Sequence, residues 1–181
     1  MAAVKRVLLG VGGGIAAYKL AALASRLVQA DVAVRVAMTP HATEFIGALT
    51  FEGLTGRKVI RSSTQVDPDG EVPHIAAARW AQVYVIAPAT ADLLGRLADG
   101  AAADPVALLA LTVRCPIVVC PAMNDAMWQA PAVQHNCERL RARGVTFLGP
   151  TTGHLAEGYD AIGRMVEPDV IQAHLAGLAA P

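Results

Sequence analysis

The chain has 181 residues, 54% of them hydrophobic and only 4% aromatic, with 15 basic and 15 acidic side chains and a formal net charge of zero. That length is most economically a single domain over residues 1–181 with room for a sizeable core. A balanced charge excludes the basic field that gathers nucleic acid, and with positive mean hydropathy it favours self-association.

The opening stretch, "MAAVKRVLLGVGGGIAAYKLAALA", has the basic start, apolar run and small residues of a secretion signal. Lys19 interrupts that run, and three successive glycines are poor material for a helical apolar core, so a cytoplasmic protein is expected. No apolar run reaches the length of a membrane span, because Arg114 breaks the longest candidate. Cys115, Cys120 and Cys137 are odd in number and lack metal-ligand spacing; they read as reduced thiols, with no metal site.

"RVLLGV" reads as a short strand and "GIAAYKLAALASRLVQ" as the helix after it, with apolar residues at helical spacing. "VAVRVAM" is the next strand, followed by helical material around "PHATEFIGAL". The stretch "RSSTQVDPDGEVP" reads as a surface loop. "VYVIAP", "PIVVCP" and "VTFLG" are further β-type runs, separated by helical segments such as "ADLLGRLADG" and "PAVQHNCERLRARG". Strands that are apolar throughout imply a parallel sheet covered on both faces. The expected fold is therefore α/β, doubly wound, with a mainly parallel, six-stranded, Rossmann-like sheet and helices on both faces.

In such a sheet ligands bind outside the carboxyl ends of the strands. After the first strand, Gly10, Gly12, Gly13 and Gly14 would let the backbone approach a phosphate at a helix N-terminus. The acid that a dinucleotide fingerprint needs is replaced by Met38, Thr39 and Pro40, which favours a phosphate or mononucleotide over NAD; a tight turn with no ligand is the alternative. Thr39 offers a hydroxyl to a phosphate or a helix N-cap, and Phe45 a flat surface for a ring or a core side chain. Thr90 and Asp92 open the helix after "VYVIAP", as a cap or as part of the same rim.

The run "VVCPAMNDAMWQAP" ends a buried strand with Pro121, Met123, Asn124, Met127 and Trp128, an unusual gathering in a chain so poor in aromatics. With "GGGIAAYK", "HIAAARWAQVYVIAPATADLLGRLADGAAADP", "QHN" and "LAEGYDAIGRMVEP" in the same order, it resembles the flavin-dependent cysteine decarboxylase family from end to end. The resemblance is strongest to the phosphopantothenoylcysteine decarboxylases of coenzyme A biosynthesis. It implies FMN, with Gly12, Gly14 and Ile15 along the phosphate and ribityl chain, Thr39 at the phosphate, Phe45 beside the flavin, and Ala89 and Thr90 at the ring system. Gly14 stands where relatives often have serine.

The resemblance also implies that His74 is the active-site histidine, acting across a subunit boundary; from the sequence alone it reads as an exposed helix-cap residue. His41, His135, His154 and His174 are left structural. Asn124 would hold the carboxylate of the substrate's cysteine, and Met123, Met127 and Trp128 would shape an apolar pocket around it. An amide orients a carboxylate without adding a full charge, which suits a group that must leave as neutral carbon dioxide. The implied reaction converts 4′-phospho-N-pantothenoylcysteine to 4′-phosphopantetheine and CO2 by thiol oxidation, CO2 loss and re-reduction of an enethiol.

One departure from the family stands out: Glu157 occupies the place of a cysteine that assists the final reduction in many relatives. Glu157 could serve as the acid if burial keeps it protonated, whereas Cys137, on another helix, is no obvious substitute. Two other activities share the pattern in part: oxidative decarboxylation of a peptide's C-terminal cysteine, as in lantibiotic maturation, and non-catalytic flavin binding in regulatory proteins. Flavin prenyltransferases share the fold but lack the Asn-centred motif. The resemblance further implies a homotrimer or a dodecamer of trimers, and a link to the phosphopantothenate–cysteine ligase, fused or separate.

Overall fold

The computed structural model describes residues 4–64, 66–67 and 70–178. Within the expected surface loop at 61–73, residues 65, 68 and 69 lie outside the described set. A five-stranded sheet forms the centre, in the order β2-β1-β3-β4-β5. Its strands are β1 (Arg6–Val11), β2 (Ala33–Met38), β3 (Val83–Ala89), β4 (Ile117–Pro121) and β5 (Thr146–Phe147), and every pairing is parallel. β1 and β3 are buried along almost their whole length, as expected of strands covered on both faces.

The sheet has one strand fewer than the sequence suggested. The sixth position is only begun at the β2 edge: Ile60 exchanges backbone hydrogen bonds with Val36 and Met38 through a single bridge to Ala37. Gly56 before it, in the left-handed conformation, and the polar run Arg61–Ser63 after it give that segment no apolar stretch to extend along the edge. The remaining strands, β6 (Thr151–His154) and β7 (Asp160–Arg164), pair antiparallel as a separate two-stranded hairpin.

Helices cover both faces. On one side lie α1 (Tyr18–Gln29), α3 (Ala48–Thr55) and the last helix, α9 (Pro168–Gly177); between α1 and α3 sits the short helix α2 (Ala42–Phe45). α1 buries Leu20, Leu23, Ala24 and Leu27, the i, i+3, i+4, i+7 stripe of a helix packed on a sheet. On the other side lie α4 (Pro73–Trp80), α5 (Ala91–Asp99), α6 (Pro105–Thr112) and α8 (Pro131–Ala142), with the short α7 (Asp125–Gln129) ahead of α8. Each fully buried Leu or Ile in these two layers contributes about 1.5–3 kcal/mol. α6 starts on a defined cap: Asp104 accepts from Val106 N–H at 2.8 Å and Ala107 N–H at 3.1 Å, with Pro105 in the first turn.

The chain reverses direction across the sheet between β1, which leads outward to β2, and β3, which leads outward to β4. The turns after β1, β2, β3 and β4 therefore open on one edge, the switch point at which this fold class binds ligands. Among the described residues no helix is long and apolar enough to cross a membrane, and no group of His, Cys, Asp or Glu could hold a metal. The three cysteines are free; burial pushes the Cys120 thiol up to about 12 and raises Cys115 and Cys137, so all three favour the inert thiol form.

Candidate active site

The glycine turn after β1 is tight because its neighbours leave no room. A Cβ on Gly12 would lie 2.1 Å from the Pro88 carbonyl oxygen, and one on Gly13 would lie 2.4 Å from His41 Cβ. These approaches press the turn against the ends of β3 and α2, so only glycine fits. Gly14 differs: its nearest neighbour would be Thr90 Cγ2 at 3.4 Å, and its backbone is extended at φ −163°, as any residue allows. It precedes a single 3-10 turn, Ile15–Ala17, that runs into α1.

The second and third turns close on the first. Thr39 is buried; its hydroxyl oxygen accepts at 3.1 Å from the N–H of Ala42, the first residue of α2, although that helix's N-cap is His41 and not Thr39, and among the described residues its O–H proton has no acceptor. Phe45, at the end of α2, is 52% exposed and is not a core residue. Thr90 caps α5 by accepting from Leu93 N–H at 3.3 Å. Ala89 is fully buried at the end of β3, and its carbonyl accepts from Ala122 N–H at 3.0 Å, tying the third turn to the one after β4.

That fourth turn carries the amide. Asn124 Oδ1 accepts from Ala126 N–H at 2.9 Å and caps α7. Its Nδ2 donates to Glu157 Oε1 at 3.1 Å and to Tyr159 Oη at 3.0 Å, and the Tyr159 hydroxyl donates to Asp125 Oδ1 at 2.6 Å. The hydrogen bond to the Asp125 carboxylate holds the Tyr159 hydroxyl above its ordinary titration range, so at neutral pH the phenol keeps its proton.

The hairpin brings Glu157 and Tyr159 there. Met123 N–H donates to the Gly163 carbonyl at 3.0 Å, and a Cβ on Gly163, at φ 137°, would sit 2.1 Å from the Met123 carbonyl oxygen. β7 thus leans directly on the turn after β4, and Glu157 rides on the tip turn between β6 and β7. At the base, buried Lys19 in α1 donates to Glu167 Oε1 at 2.8 Å and to the Met165 carbonyl at 3.3 Å, and Arg164 donates to the same carboxylate oxygen at 2.6 Å. The hydrogen bond from Lys19 keeps the Glu167 carboxyl below the ordinary carboxylate range.

One cleft of about 520 Å³ joins these parts, from Gly14, Ile15 and Thr90 at the rim to Met123, Asn124, Met127 and Glu157. Gly12, Thr39, Phe45 and Ala89 lie beside it on the same edge without lining it. His74 is not in the cleft. It occupies the first turn of α4, half-buried, and its Nδ1 is enclosed with no hydrogen-bond partner among the described residues. Trp128 stands beside the cleft in the core layer under α8. Glu157 is exposed, so the burial expected of it is absent within a single chain.

Sequence reading missed Tyr159, Asp125, Lys19, Arg164 and Glu167. Tyr159, one of three tyrosines and two residues from Glu157, carried a signal of its own; the buried Lys19 had appeared only as an interruption of an apolar run.

The family model for Flavoprotein matches residues 1–180. The chain belongs to the Flavoprotein family. This flavoprotein is 43% identical, over 98% of its length and 44% of the relative's, to the Coenzyme A biosynthesis bifunctional protein CoaBC of Vibrio cholerae. The chain spans less than half the length of the curated relatives it matches. Among solved structures, a mutant PPC decarboxylase complexed with pantothenoylaminoethenethiol superposes with a TM-score of 0.86 at 29% identity, over 95% of this chain and 96% of that one. The FMN-dependent cysteine decarboxylase SpaF gives 0.80 at 32% identity over 94% of each chain.

Proposed function

We propose that this flavoprotein binds FMN and decarboxylates 4′-phospho-N-pantothenoylcysteine to 4′-phosphopantetheine and CO2, the decarboxylase step of coenzyme A biosynthesis. The observation that carries the reading is the Asn124 amide standing in one cleft with Met123 and Met127 and with the Gly14–Thr90 rim. A cysteine carboxylate needs a neutral donor in apolar surroundings, and its thiol needs a flat redox partner within reach.

The rim fits the cofactor. Gly12, Gly14 and Ile15 would follow the phosphate and ribityl chain, the free proton of Thr39 would meet the phosphate, and Phe45, Ala89 and Thr90 would flank the ring system. FMN, when bound, supplies a reversible two-electron acceptor. Asn124 orients the carboxylate, and the apolar lining favours the neutral product over the charged reactant. Glu157 stands at the hairpin tip, where many relatives carry the cysteine that assists the final reduction.

His74 takes the thiol proton from a neighbouring copy. That it does not line its own chain's cleft, and that its enclosed Nδ1 has no partner among the described residues, support a role across a subunit boundary. Ile15, Tyr18, Phe45 and Leu49 are largely exposed on neighbouring elements beside the rim, which supports a homotrimer, or a dodecamer of trimers, with FMN between copies. The bifunctional relatives support a link to the phosphopantothenate–cysteine ligase, fused or separate, and a cytoplasmic setting.

The test is mass spectrometry of the product formed anaerobically from phosphopantothenoylcysteine by the yellow, FMN-loaded protein. Saturated 4′-phosphopantetheine is expected. Asn124→Asp and His74→Asn each lower turnover by about a hundredfold or more while keeping FMN. No CO2, a protein that cannot be loaded with FMN, or unimpaired Asn124→Asp overturns the reading. A product lighter by two hydrogens, with FMN left reduced, assigns the second reading, peptide-cysteine decarboxylation, which the glutamate at position 157 favours.

A further inference from the structure

The Asn124 amide has no donor to spare. Its nitrogen carries two protons and already has two acceptors, Glu157 Oε1 at 3.1 Å and Tyr159 Oη at 3.0 Å. The oxygen is used too, by Ala126 N–H. A ligand carboxylate arriving at this amide must therefore displace one of the two acceptors.

Glu157 is the one built to leave. It is itself a carboxylate, it sits on the exposed tip turn of the hairpin, and among the described residues it takes part in no ion pair and makes no side-chain hydrogen bond other than this one. Tyr159 is held from the far side by Asp125 at 2.6 Å and is the firmer partner. We propose that Glu157 is an internal stand-in for the substrate carboxylate, occupying the Asn124 amide in the empty site and displaced when the substrate's own carboxylate takes that N–H. The proposal rests on the decarboxylase reading above.

The exchange has three consequences. Before substrate arrives, Glu157 keeps the amide turned toward the cleft, so orientation is not lost to rotamer freedom. A ligand without a carboxylate has nothing to exchange for Glu157 and leaves the tip where it is, which makes Glu157 a determinant of specificity. After CO2 has gone the product can no longer hold the amide, so Glu157 returns to it and favours release.

The experiment is calorimetric titration of the FMN-loaded protein with two probes. One is the serine analogue of the substrate, which has the carboxylate but no thiol to oxidise. The other is 4′-phosphopantetheine, which has no carboxylate. Glu157→Ala removes the competitor and should tighten the serine analogue by about tenfold, the worth of one hydrogen bond to a charged group, while moving 4′-phosphopantetheine by less than about twofold. Glu157→Gln keeps a neutral acceptor and should fall between. Equal shifts for both probes, or weaker binding of the serine analogue, overturn the proposal and leave the decarboxylase reading standing. A wild-type protein that binds neither probe removes both.

Discussion

The glycine rim and the hairpin tip face each other across one cleft and are held by opposite means. Backbone packing fixes the rim: Gly12 abuts the Pro88 carbonyl, Gly13 abuts His41, and Ala89 is locked to Ala122. The tip is held by exposed side-chain hydrogen bonds from Asn124 to Glu157 and Tyr159, with a charged cluster of Lys19, Arg164 and Glu167 at its base. Buried backbone contacts have one arrangement, whereas exposed polar ones exchange with water and ligands at little cost. The side proposed to hold FMN is thus rigid, and the side proposed to admit and release substrate is exchangeable.

The sharpest way to break this contrast is Gly12→Ala. The added Cβ would lie 2.1 Å from a carbonyl oxygen of the buried strand end, where no flexible side chain can yield. Overpacking against backbone should cost about 3 kcal/mol or more and displace the rim, so FMN binding is lost together with several degrees of Tm. Calorimetry with and without FMN checks it. An alanine variant that keeps both stability and flavin would show that the rim yields as readily as the tip.

At the base of the hairpin the expected effect is smaller and depends on pH. Glu167 titrates below the ordinary carboxylate range in the folded chain, so folding favours its ionised form. That contribution is complete above the range in which the unfolded carboxyl titrates and is lost as pH falls through the lower, folded value. Glu167→Gln should therefore cost most at neutral pH and converge with the wild type in acid. Because the carboxylate is 46% exposed, solvent screening holds the loss to about 1 kcal/mol, although Lys19 beneath it is buried. Denaturant midpoints measured from neutral pH down to acid decide the matter, and a pH-independent gap would assign the loss to packing instead.

Much of the rim was legible because it follows from local rules. Apolar strands announce a covered parallel sheet, and glycine or threonine immediately after a strand announces a turn at its carboxyl edge. The missing sixth strand shows the limit of such counting, since Ile60 has one bridging residue and no apolar run to extend it. The tip was legible only as a motif. "TTGH" and "DAIGR" are short and mostly exposed, with no periodicity to mark a hairpin. Tyr159 meets Asn124 across 35 positions of sequence, and Lys19 meets Glu167 across 148, through tertiary contacts that no window reports. No window reports either that the Nδ1 of His74 is enclosed without a hydrogen-bond partner among the described residues.

The smallest effect tests the rim from within, at Gly14. Two positions from Gly12, a Cβ here would meet Thr90 Cγ2 at 3.4 Å and Pro88 Cγ at 3.7 Å, both ordinary contacts, and the extended backbone at φ −163° is open to any residue. Gly14→Ser should fold as well as the wild type, because serine in place of glycine at a helix N-cap changes stability by only a few tenths of a kcal/mol. Its hydroxyl would point into the cleft beside Thr90 and add one donor for a phosphate. FMN should then bind roughly three- to tenfold more tightly, the worth of one ordinary hydrogen bond, as read from quenching of flavin fluorescence during titration. Weaker binding would mean that the backbone N–H of Gly14, free of any side chain, already makes the contact a serine would make, and that the rim is finished as it stands.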